Sequence, residues 1–322
     1  MDNIENIENN ENDKDEIFAP EGTQQKPDKL IRCITSDGAV MAIAADTTNI
    51  VHMGKKLHHT SNAATAALGR LLTGASIMGV MLKQSNAALT LRVKGDGPLG
   101  AVVAVSDSRG NVRGYVENPG VETEYYSNGK INVSKAVGKD GVLNVLRDYG
   151  NGEPYKGICP LVSGEIAEDI TSYFAVSEQI PTVCALGVLV DKDDGAVMLA
   201  GGLLIQLLPG ATDETISKLE ANIKTLDPMT TMLAKGMSLI DIVKTALNGF
   251  EVEQLDEQDI AYVCPCSRER VINAVIGLSD DEIRALADEK GYARANCHFC
   301  NKNYRFTKKQ LEEIIERKHS GE

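Results

Sequence analysis

Four of the seven cysteines in this 322-residue chain stand in two close pairs, Cys264-Pro265-Cys266 and Cys297-His298-Phe299-Cys300, with thirty residues between them. Thiolates one and two residues apart can grip one ion from a tight turn, and two such turns supply a tetrahedral S4 set. Soft sulfur ligands select zinc ahead of an iron–sulfur centre. The expected ligands are Cys264, Cys266, Cys297 and Cys300, holding one Zn2+ per chain. His298 could replace a sulfur, but its place between two cysteines reads as that of a bystander. A structural zinc ribbon is the plain alternative. Two features favour a reactive site instead. The C-x-C spacing is strained for a permanent site, and Arg268, Arg270, Arg294 and Lys302 flank the pairs, where cations favour the thiolate. Such a site can lose its metal on oxidation. Metal-binding energy is folding energy in a small unit, so oxidation would also unfold it.

Other chemistry-bearing residues are weaker candidates. Cys33, Cys159 and Cys184 are isolated in apolar stretches and are expected to be inert small hydrophobes. Gly95-Asp96-Gly97-Pro98-Leu99-Gly100 matches a dinucleotide fingerprint, with Glu117 near the distance of a ribose contact. A strand-like run, Ala101 to Val105, follows where that fingerprint needs a helix, so a hairpin turn is expected. His52, His58 and His59 surround Lys55 and Lys56 with no adjacent acid or cysteine to complete a site. The sequence contains no nucleophile elbow, P-loop or HExxH motif. No catalytic residue is assigned, and a non-enzymatic protein is expected.

The elements that must position the cysteines follow from pattern. With 43% hydrophobic residues, 4% aromatics and no tryptophan, the core must be aliphatic. From Leu30 to Leu208 the chain is rich in strands and turns. LIRCIT and VMAIAA flank Asp37-Gly38; AALTLRVK and LGAVVAVSD flank a Gly-rich turn; NVRGYVE follows. PTVCALGVLVD and GAVMLAGGLLIQLL flank Lys192-Asp193-Asp194-Gly195, a further hairpin. Helices are expected over Ser61–Leu82 and Gly164–Gln179. The first is apolar enough to ask about a membrane span, but it contains Arg70 and several polar residues, so a buried helix is expected. After Pro209-Gly210 the period becomes helical. A helix capped by Thr212 carries Ile216, Leu219, Ile223 and Leu226. One helix from Asp227-Pro228 to Asn248-Gly249 carries Met229, Met232, Leu233, Met237, Ile240, Val243 and Leu247. Residues 251–261, with five acids and no base, read as a solvated connector. Ser279 opens a capping box on a helix that Gly291 can close, and Thr307 opens a second box, on either side of a β-like stretch. So small a terminal unit needs a staple, and the cysteines provide it.

Charge narrows the partners. Forty-six acids against thirty-three bases give a formal net charge of −13, which argues against nucleic-acid binding. Nine acids and three lysines fall in the first thirty residues. Such an arm is expected to be disordered, and it lacks the basic start and apolar middle of a signal peptide. A cytoplasmic location, where thiols stay reduced, is the expectation, with no membrane partner.

These residues resemble the heat shock protein 33 family, the redox-regulated holdase chaperones of bacteria. The resemblance runs from about Lys29 to the C-terminal helix. Besides the cysteine motifs with Ser267-Arg268-Glu269-Arg270, it rests on Ala44-Ala45-Asp46-Thr47-Thr48, Ala66-Ala67-Leu68-Gly69-Arg70-Leu71-Leu72 and Gly95-Asp96-Gly97-Pro98-Leu99. Gly164-Glu165-Ile166-Ala167-Glu168-Asp169-Ile170 and Ala175-Val176-Ser177-Glu178-Gln179 add to it. It implies an α+β protein with a mixed α/β N-terminal chaperone domain (30–210), a helical linker region (211–261) and a small C-terminal zinc-binding redox switch (262–322), behind the acidic arm 1–29. It further implies that the reduced, zinc-bound form is inactive. By the same resemblance, oxidation would link Cys264 to Cys266 and Cys297 to Cys300, release zinc and unfold the switch and linker. The activated form would dimerise, hold unfolding clients and pass them to ATP-dependent foldases. Met229, Met232, Leu233, Met237 and Ile240 are the candidate client-binding residues. The competing class is a zinc-containing thiol-disulfide oxidoreductase using Cys297 and Cys300.

Overall fold

The computed structural model describes residues 16–17 and 27–320; most of the arm expected to be disordered lies outside the described residues, but Glu16–Ile17 and Asp28–Lys29 within it are strand. The chain divides into two compact units, Phe18–Tyr262 and a smaller one made of Val263–Glu322 with Met1–Ile17. In chain order the elements begin with β1 (Glu16–Ile17), β2 (Asp28–Thr35), β3 (Val40–Asp46), α1 (Thr48–His58) and α2 (Asn62–Gly79). Next come β4 (Ala88–Lys94), β5 (Ala101–Asp107), β6 (Val112–Val116), α3 (Val133–Val137), β7 (Val142–Asp148) and β8 (Tyr155–Pro160). Then follow α4 (Ala167–Tyr173), a π-helical turn (Phe174–Glu178), β9 (Thr182–Val190), β10 (Val197–Leu207), α5 (Asp213–Thr225), α6 (Met229–Ala234), α7 (Leu239–Ala246) and β11 (Val252–Ile260). The smaller unit adds β12 (Val263–Cys264), α8 (Arg268–Ile276), α9 (Asp280–Ala285), β13 (Tyr292–Asn296), β14 (Asn303–Thr307) and α10 (Lys308–Ser320). The mixture of helices and antiparallel sheets is the α+β class expected.

Two five-stranded antiparallel sheets, ordered β11-β2-β3-β10-β9 and β6-β5-β4-β7-β8, form the large unit. Between them lies α2, packed on β4, β5 and β6 on one side and on β9 and β10 on the other. That position explains why it is mostly apolar. Its buried hydroxyls are satisfied, Thr65 donating to Ser61 O at 2.6 Å, Thr73 to Gly69 O at 2.8 Å and Ser76 to Gly110 O at 2.7 Å. Ser61 caps it by accepting from the Ala64 amide at 3.1 Å. The strand period of two sorts the first sheet's residues by face. Leu30, Ile43, Ala45 and Leu204 join the core around α2. Ile31, Cys33, Val40, Ala42, Ala44, Leu203 and Ile205 face the other way and pack with residues of α5, α6 and α7.

The Gly95–Gly100 stretch is a turn between the antiparallel strands β4 and β5. A Cβ on Gly95 or Gly97 would lie 2.3 Å from the carbonyl oxygen of Val137 or Ala136, so these glycines serve close packing on α3.

Three expectations need correction. The single helix from Asp227 to Asn248 is two, α6 and α7, because Gly236 turns to φ +74° and Ser238 opens a fresh capping box with Asp241. Residues 252–260 form an edge strand, β11, paired antiparallel with β2. Two of the five acids in 251–261 find basic partners across the ladder: Glu257 pairs with Lys29, and Arg32 donates from Nε to both Asp256 oxygens at 3.0 and 2.9 Å. The segment is thus a paired strand and not a connector, while Glu251, Glu253 and Asp259 are exposed as expected. The helix opened by Ser279 stops at Ala285, well short of Gly291, whose φ of +82° serves the turn before β13.

Candidate metal centre

The small unit places its cysteines from two directions. Cys264 ends β12, and Cys266 immediately precedes Ser267, which caps α8 by accepting from the Arg270 amide at 3.1 Å. Cys297 and Cys300 occupy the turn joining β13 to β14, strands paired antiparallel in register. That turn closes through Asn301 N–H to Cys297 O at 2.8 Å and Cys297 N–H to Lys302 O at 2.9 Å, with Asn301 left-handed at φ +58°. The C-x-x-C loop is therefore fixed by backbone before any ion is considered.

The four Sγ atoms lie within 4.8 Å of one another. Cys264 and Cys297 sulfurs are 3.6 Å apart, and those of Cys266 and Cys300 are 3.3 Å apart. A tetrahedral site with metal–sulfur bonds of about 2.3 Å has edges of about 3.8 Å, so the donor set fits a tetrahedral thiolate-bound ion. All four expected ligand residues are thus brought together at a group able to hold a metal. Cys264 and Cys300 are buried, whereas Cys266 and Cys297 are partly exposed. Tyr304 donates its hydroxyl to Cys266 Sγ at 3.1 Å, an outer contact that orients a ligand sulfur.

Electrostatics differ from the sequence expectation. A hydrogen bond from the Cys300 thiol, with others from Cys266 and Cys297, holds Cys264 well below the ordinary thiol range, against the effect of burial. That same bond to Cys264, together with burial, pushes Cys300 up, and burial raises Cys266. Neighbouring thiols, not flanking cations, are the cause. Arg268 stacks 4.1 Å from the centroid of Phe306 and donates to Arg305 O at 2.9 Å. Lys302 lies over Tyr304, 5.9 Å from its centroid. Both cations thus lie against aromatic rings of β14.

The other cysteines stand apart from the cluster. Burial pushes Cys33 up to about 11 and Cys184 up to about 12, so both are poor thiolates. Cys159 is buried beside Ser172, its sulfur 3.6 Å from the hydroxyl. The expected client-binding residues are all present in the second core. Met229 and Met232 are buried there, and Leu233, Met237 and Ile240 are partly buried against it. Sequence reasoning missed Tyr262, the last residue of the large unit. It is fully buried, donates its hydroxyl to Gly114 O at 2.8 Å and accepts from Gly114 N–H at 3.2 Å. A lone tyrosine in an acidic stretch gave no signal beyond its size.

Comparison with known proteins places these features in context. A family model described as "Hsp33 protein" matches residues 28–307. The 33 kDa chaperonin of Clostridioides difficile is 48% identical over 288 residues, covering 89% of this chain and 98% of that protein. The 33 kDa chaperonin of Acetivibrio thermocellus is 46% identical, covering 89% of this chain and 97% of its own length. The crystal structure of the 33 kDa chaperonin (heat shock protein 33 homologue) of Thermotoga maritima superposes with a TM-score of 0.82 at 36% identity, covering 92% of this chain and all of that one. Among the described residues, no helix is long and apolar enough to cross a membrane.

Proposed function

The chain belongs to the Hsp33 family, and from that premise we propose that its chaperone activity is gated by oxidation of Cys264, Cys266, Cys297 and Cys300. The family brings chaperone function and the binding of unfolded clients with it. The observation that supports the gate is the four-sulfur cluster in a unit with little else to hold it. The four thiolates would hold one Zn2+, which when bound supplies cross-linking energy of about 10–16 kcal/mol by comparison with structural zinc peptides. The buried core around them is small, formed by Ile283, Ala293, Tyr304, Phe306, Leu311, Ile314 and Ile315. Without the cross-link such a unit is marginal.

Peroxide is the simplest oxidant for the step. A thiolate sulfur attacks one peroxide oxygen, the O–O bond breaks and water departs, leaving a sulfenic acid. The second cysteine of the pair attacks that sulfur, an S–S bond forms and the oxygen leaves as a second water. Each pair gives two electrons to one peroxide. Within-motif pairs, Cys264–Cys266 and Cys297–Cys300, are the proposed products. In the folded cluster, crossed sulfurs stand close, Cys264 to Cys297 at 3.6 Å and Cys266 to Cys300 at 3.3 Å. Once the unit opens, closing a ring across one or two residues costs less chain entropy than closing one across about thirty.

In functional terms we divide the chain into 30–210, 211–261 and 262–322. Opening of the last segment reaches the middle one along the chain, through Tyr262 into β11, an edge strand held on one side only. Release of α6 and α7 from the first sheet would then present Met229, Met232, Leu233, Met237 and Ile240, a pliable apolar surface suited to varied clients. Dimerisation on activation, transfer to ATP-dependent foldases and a cytoplasmic site of action belong to the same reading. The oxidoreductase alternative is not favoured, because its Cys-x-x-Cys shares a cluster with a second pair.

Aggregation of a heat-unfolding protein, zinc release and disulfide mapping, each followed before and after peroxide, test this together. Suppression only after oxidation, with within-motif disulfides, is expected. Equal activity in both forms would remove the gate, and crossed disulfides would remove the proposed pairing. Cys297→Ser should lower zinc content and raise basal activity.

A further inference from the structure

The N-terminal arm is an addition to the matched pattern. The family model begins at residue 28, and relatives covered over 97–98% of their own length leave about a tenth of this chain unmatched. Its described residues, Glu16 and Ile17, are not isolated. They form β1, which pairs antiparallel with β12, Glu16 opposite Cys264 and Ile17 opposite Val263. The strand that carries a metal-ligating cysteine therefore has this chain's own arm as its partner, and the two belong to the same compact unit.

We propose that the arm is an intramolecular strand-addition clamp on the cysteine switch, docking through Glu16–Ile17 on Val263–Cys264 and slowing its opening. The argument is one of backbone order. A two-residue strand such as β12 has few hydrogen bonds of its own, and the backbone of a ligand residue must be fixed if its sulfur is to be held in place. An added strand supplies main-chain hydrogen bonds at that position. The contact is short, so it is weak and reversible, as a regulator of a switch must be. Charge permits it. Residues 263–322 carry eleven bases and ten acids, so an arm with eight acids and two lysines in residues 1–27 meets no strong like-charge field there. Opening the switch removes β12 and with it the docking strand. By linkage, docking of the arm must favour the closed, reduced unit.

This clamp rests on the redox-gate reading for its role but not for its existence, and the experiment separates the two. Hydrogen exchange at the Val263 and Cys264 amides of the reduced full-length chain is compared with that of a chain lacking residues 1–17. The same comparison is made with Ile17→Pro, which removes a backbone donor. Loss of one or two backbone hydrogen bonds should speed exchange by about two- to tenfold, and peroxide-driven zinc release should accelerate in the same variants. A synthetic peptide of residues 10–22 added to the truncated chain should restore slow exchange, and a scrambled peptide of equal charge should not. Unchanged exchange in both variants, or rescue by the scrambled peptide, overturns the clamp while leaving the gate untouched. Faster exchange without any oxidation-dependent activity upholds the docking and overturns the gate.

Discussion

At the scale of single residues, burial decides which polar groups are reactive and which are structural. Cys33 and Cys184 are pushed toward the thiol form by their surroundings, and the clustered cysteines are tuned by one another. Asp28 is a different case. It is buried at the start of β2, accepting from the amides of Asn49 and Ile50 at 3.0 and 2.7 Å and so capping α1 from a distance in sequence. Burial pushes its carboxyl up to about 7, with those two hydrogen bonds opposing the shift. A carboxyl raised in the folded state above its unfolded value of 3.8 binds its proton more tightly when folded. It contributes stability fully present below about pH 4 and lost as pH rises through about 7. Asp28→Asn removes the titration and keeps one acceptor. Melting temperatures of the two proteins between pH 5 and pH 8 should therefore diverge, with the wild type losing ground to the variant as pH rises. A constant difference across that range would show that Asp28 titrates as it does in the unfolded chain.

At the scale of elements, α6 rests on a floor made by two glycines. Gly187 of β9 and Gly201 of β10 face each other across the ladder. A Cβ on Gly187 would stand 2.7 Å from Thr230 Cγ2, and one on Gly201 would stand 2.9 Å from Leu233 Cδ1. The methionine-bearing helix can lie this close only because those positions lack side chains. Gly187→Val should lift α6 without touching a cysteine, so the reduced variant should suppress client aggregation with its zinc content unchanged. A silent, well-folded variant would show that these residues are not the surface clients meet. Much of this level was legible beforehand. Asp37-Gly38, the Gly95–Gly100 turn and the Thr212 and Ser279 caps all mark element ends where the structure has them, because turn and cap chemistry is local. What escaped reading depends on partners far away in sequence. Asp256 and Glu257 of β11 look solvated until Arg32 and Lys29 are set beside them, some 220 residues apart. The break between α6 and α7 hid behind a continuous apolar stripe, since Gly236 is tolerated in a helical pattern. The clustering of the four cysteines was plain, because their spacing marks it; Tyr262 was not, because its worth lies in Gly114.

At the scale of the whole molecule, the two units differ in how they are held. The large one buries an all-round helix between two sheets and a second layer of helices over one of them. The small one buries few apolar side chains and gathers four cysteine sulfurs in one cluster. Such a pair should come apart in order when metal is withdrawn. Chelation under reducing conditions separates folding from thiol oxidation, since no disulfide can form. Amide exchange across residues 263–320 should then rise to nearly unfolded rates. β11, an edge strand joined to the small unit through Tyr262, should lose protection next. The central strands β3 and β10 should stay protected, because each is paired on both sides. Exchange measured with and without chelator reads all three regions at once. A small unit that keeps its protection without metal would mean that its seven-residue core suffices, and the cysteines would then be only passengers on a stable fold. Loss of protection in the order switch, β11, then nothing further would locate the gate at the chain segment that joins them. On the proposed gate, the same order would explain why the apolar helices lie on the large unit's sheet: that sheet would have to survive the opening of the small unit if the released surface is to be covered again when the thiols are reduced.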